Sequence, residues 1–91
     1  MKILIEASFS KPLLSILLTI AKDKKTAAKK FNKELRQKIS LLSTSPHMCR
    51  SSIYFDDTNY RDLIYKGYII IYKIDTNTIK VLDIFKWQDK D

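Results

Sequence analysis

The apolar residues of this chain change period once, and that change limits the folds open to it. From Ala27 to Leu42 the side chains Ala27, Phe31, Leu35, Ile39 and Leu42 recur every four, four, four and three residues, the repeat of one helix face. Beyond residues 43–45 and Pro46 the repeat falls to two, the alternation of a strand with one face turned inward. A helical block followed by short strands specifies an α+β domain, because each kind of element carries apolar surface that it cannot bury alone.

The remaining elements follow from local chemistry. Residues 2–8 are β-rich, with Ile3 and Ile5 on one face and Leu4 on the other. Ser10 ahead of Lys11 and Pro12 supplies a capping oxygen and a proline where no amide donor is needed, so a first helix is expected from about residue 11. Its broad apolar stripe runs through Leu13, Leu14, Ile16, Leu17, Leu18, Ile20 and Ala21. Asp23 is placed to cap a second helix, giving an antiparallel helical hairpin over about residues 11–42. Residues 52–55 then read as a strand, 56–59 as a polar turn, and 60–65 as the return strand. Lys66-Gly67 is a two-residue turn carrying the only glycine, so Tyr65 is expected opposite Tyr68, Ile64 opposite Ile69, Asp62 opposite Ile71 and Tyr60 opposite Lys73. Ile69-Ile70-Ile71 is apolar on both faces and marks residues 68–74 as a central strand. Residues 79–85 form the last strand after a turn at 75–78. The expected order is β-α-α-β-β-β-β: an N-terminal strand, the helical hairpin and a four-stranded antiparallel meander, with the sheet in residues 2–8 and 52–86 of a single domain, 1–91.

Charge and cysteine use narrow the chemistry. Residues 1–50 hold 11 Lys/Arg against three Asp/Glu, so the net charge of +7 resides in the first half, chiefly on Lys24, Lys25, Lys29, Lys30, Lys33 and Lys38 of the second helix. Such a surface favours an acidic partner. The apolar stretch 13–21 resembles a signal core, but it is too short to span a bilayer and leads into Lys22-Asp23-Lys24-Lys25, so a buried helix, a cytoplasmic setting and no membrane partner are expected. A single cysteine, Cys49, and a single histidine, His47, offer no metal-ligand spacing and no disulfide framework; neither a metal nor a cofactor nor a small-molecule ligand is expected. His47 and Cys49, two apart on a loop, lack a third group to orient a nucleophile.

Several residues together carry a family likeness. Pro46 and Arg50, then the block Tyr60-Arg61-Asp62-Leu63 leading to Gly67-Tyr68 and Tyr72, and a last strand ending in Ile84-Phe85 before a polar tail, resemble the RelE/ParE superfamily of toxins from type II toxin-antitoxin modules. The ParE-like branch is the nearer, since its Tyr-Arg-Glu-Leu followed by Tyr-Arg-x-x-Tyr aligns here without a gap. The resemblance implies the RelE/ParE-like α+β fold and a cognate antitoxin partner. It further implies growth inhibition by binding DNA gyrase, or, on a RelE-like reading, ribosome-dependent cleavage of mRNA. Two positions depart from the pattern: Ile69 stands where the family usually has Arg, and Cys49 where it often has Gly. The cations left for RNA cleavage are Arg50, Arg61 and Lys86, and the Ile-rich face around Ile69 is poor in the charge that such chemistry needs. The chain therefore reads as a binder rather than an enzyme. Tyr54, Tyr65, Ile69, Ile71 and Trp87 are the candidate antitoxin contacts on an exposed apolar face. A non-toxic basic nucleic-acid-binding domain is the third reading, resting on the lysine-rich helix.

Overall fold

The computed structural model describes residues 1–89, so Lys90 and Asp91 of the polar tail lie outside the described residues. The elements are β1 (Lys2–Ile5), α1 (Ala7–Asp23), α2 (Lys25–Ser40), β2 (Arg50–Ser51), β3 (Tyr60–Tyr65), β4 (Tyr68–Ile74) and β5 (Thr78–Lys86), with 3₁₀ turns at Leu41–Ser43 and Trp87–Asp89. They make the expected α+β arrangement, in a five-stranded sheet of order β1-β5-β4-β3-β2. The pairs within β2 to β5 are antiparallel, and β1 joins β5 in parallel with Ile3 beside Ile79.

The β3–β4 register is the one expected from Lys66-Gly67: Tyr65 pairs with Tyr68, Ile64 with Ile69, Asp62 with Ile71 and Tyr60 with Lys73. Both turn residues have positive φ, 47° at Lys66 and 82° at Gly67, the geometry that matches the twist of the flanking strands. Between β4 and β5 the register shifts after Ile71, which pairs with Asp83 while Tyr72 pairs with Val81. The extra residue, Leu82, breaks the alternation of two, so that Ile79, Val81 and Ile84 all reach the core.

That core lies between the helices and one sheet face. Phe9 and Leu13 of α1, Phe31, Leu35 and Ile39 of α2, and Leu42 pack with Leu63, Tyr65, Ile70, Tyr72, Ile79, Val81 and Ile84. Phe31 stands edge-on to both Tyr65 and Tyr68, at 5.1 and 5.5 Å between ring centroids.

Three boundaries differ from expectation, each for a physical reason. Helix α1 begins at Ala7, not near residue 11, and β1 ends at Ile5, not Ser8. Glu6 is extended and donates its amide to Val81 O, while its carbonyl accepts the amides of Phe9 and Ser10. Ser8 Oγ donates to Leu82 O, and Phe9 is completely buried. Burial of Phe9 outweighs the Ser10–Pro12 start signal, and Pro12 sits inside the helix without an amide for the Ser8 carbonyl. Asp23 does not cap α2: it completes α1, and Lys24 alone links the helices, its amide bonding Ile20 O and its carbonyl accepting Ala27 N and Ala28 N. The hairpin thus occupies 7–40 instead of 11–42.

The third difference lies beside the candidate site. Residues 52–55 are not a strand, and β2 stops at Ser51. Ser52 N still donates to Tyr60 O, but the next two amides are taken by side chains, Ile53 N by Asp62 Oδ2 at 3.1 Å and Tyr54 N by Ser52 Oγ at 3.2 Å. Side-chain acceptors have replaced the ladder, and the segment leaves the edge to cross the outer sheet face.

Candidate functional site

The sheet face away from the helices is built in rows. Arg50, Asp62, Ile71 and Asp83 line up across β2, β3, β4 and β5, and Ile64, Ile69 and Phe85 form the neighbouring row. This face is not the open apolar surface expected from sequence. Tyr54 stands edge-on to Phe85 at 5.2 Å, and Phe55 stacks on Tyr60 at 4.1 Å with the Lys73 ammonium 5.3 Å from the Tyr60 ring. Between the crossing segment and the sheet is a groove of about 390 Å³ lined by Tyr54, Phe55, Ile71, Leu82, Asp83 and Phe85.

Of the five candidate antitoxin contacts, Ile69 and Ile71 are therefore buried, and Tyr65 belongs to the helix-side core. Tyr54 is half-buried and Trp87 is exposed. The apolar side chains that do reach solvent around this face are Ile53, Phe55, Ile64 and Trp87. Ile69, where a cation was expected from the family pattern, is fully enclosed and serves packing.

The three candidate cations are not brought together. Arg50 is committed to Asp62, with Nε and Nη2 each 3.2 Å from Oδ2, and its guanidinium lies 5.8 Å from the Trp87 ring. The Asp62 side chain is wholly buried, and its Oδ1 has no hydrogen-bond partner among the described residues. Arg61 pairs with Tyr72 and so projects from the opposite face. There its Nε donates to Thr58 O and its Nη1 to Cys49 O, both at 3.0 Å, while Tyr72 Oη donates to Pro46 O at 2.7 Å. These bonds tie the loops at 46–49 and 58–60 to the sheet end. Lys86 is exposed, pairs with Tyr68 and borders a shallow hollow with Lys66, Gly67, Trp87 and Gln88. One cation neutralised by a buried carboxylate, one bonded to backbone carbonyls across the sheet and one at the strand end offer no converging charge for a phosphate.

A second polar cluster joins α2 to the β3–β4 turn. Tyr65 Oη donates to Glu34 Oε1 at 2.8 Å, and Lys66 Nζ lies 3.4 Å from the same oxygen. The Tyr65 hydrogen bond holds the Glu34 carboxyl below its ordinary range, and burial pushes the Tyr65 phenol up. Burial likewise raises the Tyr72 phenol. Glu34 was not singled out in sequence; the one usable signal is that it is the sole acid between residues 24 and 55.

His47 is exposed and Cys49 half-buried against the core. Among the described residues, no group of three or more His, Cys, Asp or Glu could hold a metal ion, and no helix is long and apolar enough to cross a membrane.

The arrangement rests on an α+β frame of the RelE/ParE kind. No curated protein matches the chain significantly. The family model of the ParE toxin of type II toxin-antitoxin systems, parDE, matches residues 3–89, nearly the whole of the 91-residue sequence, and the chain belongs to that toxin family.

Proposed function

We propose that this toxin arrests growth by binding DNA gyrase, not by cleaving RNA, and that a cognate antitoxin neutralises it in the cytoplasm. The observation that carries the reading is the separation of Arg50, Arg61 and Lys86. Arg50 is paired to buried Asp62, Arg61 is bonded to Thr58 O and Cys49 O on the other face, and Lys86 stands apart at the strand end. A RelE-like ribosome-dependent endonuclease requires cations that meet at one phosphate. The antitoxin surface we assign is the outer face around Tyr54 and Trp87, extended by Ile53, Phe55 and Ile64; Ile69 and Ile71 support it from beneath, and Tyr65 is removed from it by burial.

The test is purified gyrase with and without the toxin, alongside message integrity during induced expression. Lost supercoiling with intact mRNA is the expected result. Cleavage of ribosome-bound mRNA that disappears in Arg61→Ala, with supercoiling unaffected, would replace this reading with the endonuclease.

A further inference from the structure

We propose that the solvent face of α2 is a docking surface for the phosphate backbone of duplex nucleic acid, independent of any gyrase contact. The buried side of α2 is Ala28, Phe31, Leu35 and Ile39. Its exposed side reads Lys25, Thr26, Lys29, Lys30, Lys33, Arg36, Gln37, Lys38 and Ser40, with no acidic and no apolar residue. Lys25, Lys29, Lys33 and Arg36 follow one another at four, four and three residues, so they share one face. Each step of four rises about 6 Å along the axis, placing a row of cations over roughly 16 Å.

These four cations are uncompensated within the fold. The ion pairs among the described residues are Arg50–Asp62, Lys66–Glu34 and Lys80–Asp75, and none uses the row. Glu34, the only acid on α2, is turned toward Tyr65 and Lys66. Arg36 makes one neutral bond, Nε to Asn32 Oδ1 at 3.2 Å, which leaves its two terminal nitrogens for a ligand.

The chemistry of the row selects the partner. An acidic peptide that folds on its target needs apolar anchors to offset the entropy of ordering, and this face offers none. A phosphodiester backbone needs only regularly spaced cations, and a duplex supplies one negative charge for about every 1.7 Å of axis. Recognition is thus sequence-independent and salt-sensitive.

The experiment is fluorescence anisotropy of the full chain with a labelled duplex of about 20 base pairs and arbitrary sequence, between about 50 and about 200 mM salt. Four phosphate contacts give a slope of log K against log salt near −3.6. The double variant Lys29→Gln/Lys33→Gln, whose circular dichroism verifies the fold, should bind ~10²-fold more weakly at about 50 mM salt, with the slope halved to about −1.8. The charge-matched control Lys2→Gln/Lys80→Gln, on the sheet face opposite the helices, should bind as the parent does. The inference is overturned by no duplex binding at the lowest salt, by equal weakening in both double variants, or by a poly-glutamate peptide binding more tightly than the duplex. Gyrase is absent from the assay, so its outcome is separate from that of the supercoiling test.

Discussion

The Arg50–Asp62 pair should be required for stability only while both partners are present. Arg50→Met leaves the Asp62 carboxylate, whose side chain is 0% exposed, with Ile53 N as its remaining donor. Orphaning a buried charge costs about 3–5 kcal/mol. The Arg50 side chain is 38% exposed, so water enters the space it vacates, and the expected loss falls to about 2–3 kcal/mol. With a urea m-value of about 1 kcal/mol/M, the unfolding midpoint should drop by about 2–3 M. Arg50→Met/Asp62→Leu removes both charges and should recover at least about half of that loss, because the unpaired Oδ1 goes too. Midpoints followed by circular dichroism and by Trp87 fluorescence should coincide if unfolding is two-state. A single variant less than about 0.5 kcal/mol below the parent, or a double variant less stable than the single, would refute the account of a buried carboxylate dependent on one arginine.

Two further outcomes follow from turn geometry and from titration. Gly67→Ala should cost about 1 kcal/mol through backbone strain alone, since φ is 82° and an added Cβ meets nothing within 4 Å; thermal unfolding measures it. The Tyr72 phenol is raised from 10.0, mainly by burial, so its contribution is full below pH 10 and is lost as pH rises above that value. Tyr72→Phe should lose about 1 kcal/mol at neutral pH with the bond to Pro46 O. Its urea midpoint should then fall less steeply than the parent's above pH 10, with the residual slope owed to Tyr65 and Lys66, both raised in the same direction.

What could be read in advance, and what could not, divides by the range of the interaction that decides each feature. The β3–β4 register was legible because Lys66-Gly67 permits only a tight reversal, and Ile69-Ile70-Ile71 marked a central strand. The covering of its outer side was not legible. Tyr54 meets Phe85 across 31 positions of sequence, and no local pattern encodes that contact. The early start of α1 was hidden for the same reason: Ser10 and Pro12 form a sound local signal, overruled by Phe9 filling the core. The split between Arg50 and Arg61 was half legible. Alternation puts Arg61 and Asp62 on opposite faces, but placing Arg50 with Asp62 depends on the two-residue pairing of β2.

The parallel seam between β1 and β5 bears on when this fold can form. Residues 2–5 pair with residues 78–81, so this seam joins segments more than seventy positions apart and cannot close until both have been made. The inner side of α1 waits for the same strand, since Ile79, Val81 and Ile84 complete the cluster that encloses Phe9 and Leu13. Nascent chains that stop before Thr78 leave both unsatisfied. The fold is therefore reached late and all at once, through contacts of long sequence separation, and a truncated chain keeps an open sheet edge and an unfilled core.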